Sequence, residues 1–116
     1  MSYADWRGRF LEAVDESLYP AAWLDRRVEE GSARFWANAG GAILAEIRSY
    51  PSGAREVHGL VAAGTIPAVI ELIPLAEAWG RDCGCTRASI ASHSAWARLM
   101  RPYGYEPEQL TIAKEL

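Results

Sequence analysis

Two turn signals near the middle of the chain separate three short segments in which apolar and polar residues alternate. The segments run from Ala33 to Ala39, from Ala42 to Tyr50 and from Arg55 to Ala63, and the turns are Gly40-Gly41 and Pro51-Ser52-Gly53. Alternation with a period of two is typical of strands with one buried face, and short glycine turns join antiparallel neighbours. The pattern therefore predicts an antiparallel meander whose apolar face needs a cover.

An amphipathic helix directly after the third segment is the predicted cover. Thr65 is suited to cap its N-terminus, Pro67 fits its first turn, and an apolar stripe runs from Ile66 through Val69 to Ile73. Pro74 lies inside this helix and is expected to kink it, because proline removes one backbone hydrogen bond. The alternation before the helix divides the third strand between two faces, with Val57, Gly59 and Val61 inward and Glu56, His58 and Leu60 outward.

The two ends of the chain complete a mixed arrangement of helices and strands. Residues 3 to 30 predict two helices that separate at Pro20. Thr86 to Ser92 predicts a strand parallel to the third one, since a helical crossover connects them. A short helix from Ala95 to Arg101 follows, and Gln109 to Lys114 predicts a final strand that points Leu110 and Ile112 inward.

Composition and charge exclude several classes of function. The 116 residues suit one domain over residues 1–116, and the net charge of -3 removes the basic surface that nucleic-acid binding needs. Cys83 and Cys85 are too close for an unstrained disulfide, and with His58 and His93 they match no standard zinc spacing, so we expect no metal site. The sequence also lacks an apolar run long enough to span a bilayer and the apolar core of a signal peptide.

The predicted order of strand, strand, strand, helix, strand, helix, strand resembles the GNAT N-acetyltransferase family from about Ala33 to Leu116. The stretches AEAWGRDCGCTRASI and AWARLMRPYGYEPEQLTIAKEL are similar to that family's helix before the fifth strand and to its closing helix, aromatic-Gly-aromatic turn and strand. More narrowly, they resemble short GNAT-like proteins encoded by tailed bacteriophages. The resemblance implies an α/β (α+β) GNAT-like fold with a mixed, mostly antiparallel sheet of five to six strands, helices on both faces and additional N-terminal helices.

The resemblance also implies where a cofactor would bind. In active members, the turn before the long helix and the N-terminus of that helix hold the coenzyme A pyrophosphate through backbone N–H groups. The matching positions here, which are our candidate cofactor-binding residues, are Ala63, Gly64, Thr65 and Ile66. This turn departs from the family pattern in having a single glycine, no basic residue and, at Pro67, no N–H donor. We therefore expect no cofactor, or acetyl coenzyme A if the protein is active.

The family's general acid is usually a tyrosine in the helix before the aromatic-Gly-aromatic turn. Here that helix offers Trp96, Arg98 and Met100 instead. Tyr103 is the nearest phenol, but a shift of a residue or two would be needed to place it, and Tyr105 matches a structural aromatic. Glu56 and His58 are the candidate bases on the third strand, since a histidine there could titrate near neutral pH. The catalytic residues therefore stay unassigned.

Interpretations of function from different classes remain open. The first, which we prefer, is a non-catalytic GNAT-fold protein that acts through protein–protein contacts as a structural or accessory, virion-associated protein of a bacteriophage. Its partners would be capsid or tail components, and Trp6 and Trp23 of the N-terminal helices are the candidate interface residues. The alternative is an acetyl-coenzyme-A-dependent N-acyltransferase with an unidentified acceptor, and a third is a regulator that binds a host protein. A virion or host-cytoplasm location is expected, and self-association is compatible with each.

Overall fold

The structure is a computed structural model that describes residues 2–92 and 94–116 of the chain. It begins with the helices α1 (Tyr3–Ala13) and α2 (Ala21–Glu29), followed by the strands β1 (Ala33–Ala37), β2 (Gly41–Ser49) and β3 (Arg55–Gly64). The later elements of the described chain are helix α3 (Ile66–Asp82), strand β4 (Arg87–Ile90), helix α4 (Ser94–Met100) and a short 3-10 helix (Arg101–Tyr103).

The strands form one sheet in the order β1-β2-β3-β4. β1 pairs with β2 and β2 with β3 in the antiparallel sense, whereas β3 and β4 are parallel. The predicted meander is confirmed, and so is the parallel fourth strand that a helical crossover requires. The result is a mixed α/β fold with helices on both faces of the sheet.

Each face of the sheet carries its own apolar core. On one face, α3 packs against Ile43, Ala45 and Val57 through Val69, Leu72 and Ala76, with Trp79 and Trp96 at the margin. On the other face, α1 and α2 bring Trp6, Phe10 and Leu24 against Ala42 and Leu44. Within the described residues, no helix combines the length and the apolarity that a membrane span requires.

Local chemistry explains where the two main helices begin. The Thr65 hydroxyl oxygen accepts a hydrogen bond from the Ala68 backbone N–H at 3.4 Å, and Pro67 occupies the first turn of α3. This is the N-terminus that the sequence predicts, because the cap satisfies an N–H group that the helix itself leaves unpaired. At α1, the Ser2 backbone N–H donates to the Asp5 carboxylate at 2.8 Å, so an acidic residue in the first turn closes that end.

The predicted final strand is wrong. Residues 105–116, all of them described, contain no strand, so the sheet has four strands rather than five or six. Leu110 and Ile112, which were expected to point inward, are 84% and 87% exposed. Pro107 lies two residues before the predicted strand and has no backbone N–H, so it cannot donate a ladder hydrogen bond at that position.

A β-bulge in β3 overturns part of the predicted division between faces. Leu44 pairs with Val61 and the adjacent Ala45 pairs with Gly59, which leaves Leu60 without a register partner on β2. One extra residue reverses the alternation beyond it. Val61 therefore packs with Leu60 on the α1 and α2 face instead of lying with Val57 under α3.

Burial corrects the expectation for several polar and aromatic side chains. Glu56 and His58 do lie on the face away from α3, but they are only 2% and 6% exposed, and both contact side chains of β4: Arg87 with Glu56 and Ser89 with His58. Trp6, predicted as an interface residue, is 4% exposed and belongs to the core. Trp23 is half-buried against Tyr19 and Arg27. His93, considered above as a metal ligand, lies outside the described residues.

Candidate functional site

A cleft lies beyond the end of β4, where β3 continues without a partner on that side. β3 pairs with β4 from Glu56 to Gly59, opposite Arg87 to Ile90, and then continues to Gly64 paired with β2 but not with β4. The cleft has a volume of about 780 Å³. It passes through the plane of the sheet, because residues of α1, α3 and α4 all line it. A cavity of this size can hold a small-molecule ligand.

The walls of the cleft differ in chemical character. The α3 side is apolar and is formed by Val69, Ile73 and Ala76, with Trp96 of α4 beside them. Glu12, at the end of α1, is a charged group on the opposite side. Further polar residues that line the cleft are Glu77 of α3, Ser89 of β4, Ser92 after β4 and Tyr105 of the C-terminal segment.

The exposed edge of β3 provides hydrogen-bonding groups along the cleft. Beyond Gly59 the strand has no register partner on β4, although it continues through Leu60 to Gly64. Successive residues of a strand direct their backbone groups to opposite edges, so alternate residues of this stretch face the cleft. A ligand that carries amide groups could pair with this edge as an added strand does.

The predicted cofactor turn lies at the mouth of the cleft, where Ala63, Gly64 and Ile66 contribute to its lining. The Thr65 backbone N–H, however, already donates to the Gly40 carbonyl at 3.0 Å. Gly64 has a φ of 106°, and a Cβ there would lie 2.6 Å from the Gly41 Cα. Close approach of the β1–β2 turn therefore explains this glycine. The turn does not present the set of free N–H groups that a pyrophosphate needs, and cofactor binding by these residues stays a prediction.

The phenol in the cleft is Tyr105 rather than Tyr103. Tyr103, the proton donor considered from the sequence, is exposed and does not line the cavity. The Tyr105 hydroxyl donates to the Glu77 carboxylate at 2.7 Å. Burial, followed by this hydrogen bond and the negative charge of Glu77, raises the pKa of Tyr105 well above its ordinary value. The pair links the C-terminal segment to α3, and the phenol keeps its proton at neutral pH.

Two rows of polar side chains cross the sheet, and the first of them reaches the cleft at Ser89. In the first row, Glu46 of β2 lies opposite His58 of β3, which lies opposite Ser89 of β4. The His58 Nδ1 atom is 2.7 Å from the Ser89 hydroxyl oxygen. Burial, and to a lesser degree the nearby positive charge of Arg48, lowers the pKa of His58. The imidazole is therefore neutral at pH 7.

The second row is Arg48 of β2, Glu56 of β3 and Arg87 of β4. Arg87 Nε donates to Glu56 Oε1 at 2.7 Å. Burial acts to raise the pKa of Glu56, but hydrogen bonds from Tyr50, Ser89 and Arg87 outweigh it and lower the pKa below its ordinary value. Glu56 is therefore a carboxylate held by donors, which makes it a weak base.

The proximity of His58 and Ser89 could not be found from the sequence. The crossover predicts that their strands are parallel, but the register that places these two residues opposite each other depends on how α3 packs. The described residues contain no group of three or more side chains arranged to hold a metal ion.

Comparison with known proteins identifies the fold. No family model matches the chain, and no curated protein matches it by sequence. Among solved structures, an acetyltransferase of Trypanosoma brucei has a TM-score of 0.70 at 13% identity, over 98% of this chain and 90% of that one. A predicted acetyltransferase with acetyl-CoA from Clostridium acetobutylicum has a TM-score of 0.71 at 7% identity, over 96% and 86%.

A third similar structure is the aminoglycoside antibiotic 6'-N-acetyltransferase of Acinetobacter haemolyticus. It has a TM-score of 0.71 at 16% identity and covers 99% of this chain and 93% of that one. Identities this low establish the fold alone, since one fold serves many activities. The chain therefore has a GNAT-like fold, shared with acetyltransferases.

Proposed function

We propose that this chain binds an acyl thioester of coenzyme A in the cleft and transfers the acyl group to an amine. The observation that carries the proposal is the cleft of about 780 Å³ beyond the end of β4, along a stretch of β3 that β4 does not cover. The pantetheine arm of coenzyme A contains amide groups that suit pairing with such an edge. The likeness to acetyltransferases favours this interpretation over a non-catalytic one.

The residues present fit one part of this substrate better than the other. The edge from Leu60 to Gly64 and the apolar wall at Val69 and Ile73 would hold the pantetheine arm and a small acyl group. The nucleotide end meets a poorer site, because the Thr65 N–H is already bonded to Gly40 and Pro67 has none. We therefore expect most of the binding free energy to come from the thioester arm.

The chain contributes to the reaction chiefly by positioning. A thioester held along the strand edge presents its carbonyl group to backbone N–H donors, which stabilise the negative charge that develops on the oxygen. The acceptor amine would approach from the side of the cleft formed by α1, where the Glu12 carboxylate attracts a cation. Glu77 holds the Tyr105 hydroxyl at 2.7 Å and so closes the cleft between α3 and the C-terminal segment.

Calorimetry with acetyl coenzyme A and with acetyl-pantetheine tests the proposal. We expect both to bind the wild-type protein, with a modest loss of affinity when the nucleotide is absent. Ala62→Trp should weaken binding by roughly tenfold or more, because the new side chain fills the cleft. Ala22→Trp, on the exposed surface of α2, is the matched control and should bind as the wild type does.

Absence of heat and of a thermal shift at millimolar acetyl coenzyme A would rule out the proposed substrate. If binding occurs, release of the free thiol in the presence of a panel of primary amines then measures transfer. Binding without acceleration of thiol release by any amine would reduce the function to ligand binding.

A second candidate function is the protein–protein role that we preferred from the sequence, and one observation favours it. The C-terminal segment exposes Leu110, Ile112 and Leu116, which gives an extended apolar strip suited to a partner. A virion-associated protein of a bacteriophage would use such a segment to contact capsid or tail components. Mass spectrometry of purified particles tests this role, and reproducible absence of the protein from them would reject it.

A further inference from the structure

The lining of the cleft includes a serine whose hydroxyl contacts a buried imidazole. Ser89 lines the cleft and is half-buried, whereas His58 lies behind it with 6% exposure. The Ser89 hydroxyl oxygen and His58 Nδ1 are 2.7 Å apart on paired strands. The hydroxyl thus lies between the space where a ligand would bind and a group able to take its proton.

The surroundings hold this pair in a defined geometry. Glu46, directly opposite His58 on β2, accepts from Arg48 Nε at 2.9 Å and also pairs with Arg27 of α2. Because its partners hold it in place, this carboxylate provides a stationary negative charge across the strand from the imidazole. On the other side, the Glu56 carboxylate can accept from the Ser89 hydroxyl. The hydroxyl has one hydrogen to give to either neighbour, and proton transfer starts from the rotamer in which it points at His58 Nδ1. Carboxylate, imidazole and hydroxyl therefore follow one another across three adjacent strands.

We propose that Ser89 is a nucleophile that accepts the acyl group of a thioester bound in the cleft, with His58 as its base. The function implied is acyl transfer through an acyl-serine ester, and hydrolysis of the thioester where no amine is present. The proposal rests on the proposed function, because it needs the thioester in the cleft. Its chemistry is that of a serine activated by a neighbouring base.

Each bond and proton is accounted for within the site. The Ser89 oxygen attacks the thioester carbonyl carbon while its proton passes to His58 Nδ1. The carbon–sulfur bond then breaks, and the leaving sulfur takes that proton from His58, which gives a free thiol and an ester on Ser89. An amine or a water molecule next attacks the ester, and the serine oxygen recovers a proton through His58. Glu46 stabilises the transient imidazolium, and N–H groups of the β3 edge beyond Gly59 face the developing oxyanion.

The protonation state of His58 suits it to accept the proton of Ser89. Burial keeps His58 neutral at pH 7, so Nδ1 can accept a proton when the other ring nitrogen carries the hydrogen. The charged and titratable groups around it are Glu46 and Arg48 from β2, Glu56 from β3 and Arg27 from α2. The rate of acylation should therefore rise with pH as His58 loses its proton, with an inflection below pH 6.5, and should be constant above that pH.

The test is to mix the full chain with acetyl coenzyme A in the absence of any amine and to quench the reaction early. Intact-mass spectrometry should detect one acetyl group per chain, peptide mapping should locate it on Ser89, and free thiol should appear as a burst of matching size. Ser89→Ala should bind acetyl coenzyme A in the calorimeter but form no adduct. Ser89→Cys should form the adduct on its thiol, and Ser49→Ala, on the exposed end of β2, should behave as the wild type does.

Negative results would distinguish a failure of the acyl-serine step from a failure of the proposed function. Binding of acetyl coenzyme A with neither burst nor adduct would overturn the acyl-serine step and leave direct transfer to the amine intact. An adduct that persists in Ser89→Ala would assign the chemistry to another residue and overturn the proposal.

If acetyl coenzyme A does not bind at all, p-nitrophenyl acetate serves as the probe, because this activated ester needs no coenzyme site. Acetylation of Ser89 by it would support the nucleophile while rejecting coenzyme A as the substrate. Absence of acetylation on Ser89 would overturn the proposal.

Discussion

Replacement of Gly80 by alanine should destabilise the protein, although alanine is the better helix former. Gly80 lies in α3, where the helix crosses β3, and is buried. A Cβ atom at this position would lie 2.7 Å from Val57 Cγ1 and 2.8 Å from Val57 Cβ. Because the second of these atoms is fixed to the strand backbone, a rotamer change of Val57 cannot relieve the contact.

The sign of the stability change follows from comparing the helix propensity gained with the cost of overpacking. Alanine gains about 1 kcal/mol over glycine in a helix interior. Overpacking of a dense core costs roughly 1–3 kcal/mol, and a fixed Cβ contact below 3 Å calls for the upper part of that range. The net expectation is a loss of about 1–2 kcal/mol in the free energy of unfolding, with α3 displaced from the sheet. Since α3 forms one wall of the cleft, the affinity for any cleft ligand should fall as well.

Urea unfolding followed by circular dichroism measures this effect. Gly8→Ala is the matched control, because Gly8 is exposed in α1 and a Cβ there would meet nothing within 4 Å. It should stabilise the protein by up to about 1 kcal/mol. In a Val57→Ala background the penalty of Gly80→Ala should shrink, since the Cγ1 contact is gone. If Gly80→Ala is as stable as the wild type while Gly8→Ala behaves as expected, the packing argument is wrong.

Three further predictions concern the core and the cleft. Phe10→Ala should lower the free energy of unfolding by about 3–5 kcal/mol in the same urea assay, because the ring is completely buried between α1 and the sheet. Tyr105→Phe should lower the free energy of unfolding by about 1 kcal/mol, because the Glu77 carboxylate loses its donor. Tyr103→Phe, at an exposed position, should change it by no more than about 0.5 kcal/mol. Equal effects of the two substitutions would contradict the assignment of Tyr105 as the phenol bonded to Glu77. The pKa of His58 in the folded protein lies below 6.5, so near that pH the unfolded chain binds more protons at His58 than the folded one does. The contribution of His58 to stability should therefore be complete above pH 6.5 and decline as the pH falls towards the pKa of the folded state. An NMR titration in which the His58 ring protonates at or above pH 6.5 would reject that sign.

Predictions from the sequence succeeded where local chemistry decides the structure. Thr65 and Pro67 mark the start of α3 because a hydroxyl cap and a missing N–H have the same effect in any protein. Gly40 and Pro51-Ser52-Gly53 lie in the turns that separate the strands of the meander, and Gly41 begins β2, because glycine, proline and serine accept turn conformations. The final strand failed because Leu110 and Ile112 alternate correctly, but alternation alone does not supply a partner strand.

The candidate site depends on the register between strands and on the packing of helices, neither of which the pattern of one segment contains. The bulge at Leu60 is one residue of mismatch between two strands, and it reverses which side chains reach the α3 face. The sequence predicts a structural aromatic at Tyr105, whereas its hydroxyl donates to Glu77 in the cleft. Trp6 was expected at an interface, but the N-terminal helices fold back over the sheet and bury it.

The sequence by itself determined the order of helices and strands up to α4, the antiparallel meander and the parallel crossover, because periodicity, caps and turn residues act over a few positions. Tertiary structure alone decided that the pairing of β3 with β4 ends at Gly59 and that Ser89 lies 2.7 Å from His58, 31 residues away in the chain. Register and the extent of strand pairing depend on how α3 packs across the sheet, and that packing sums many weak contacts between residues distant in sequence.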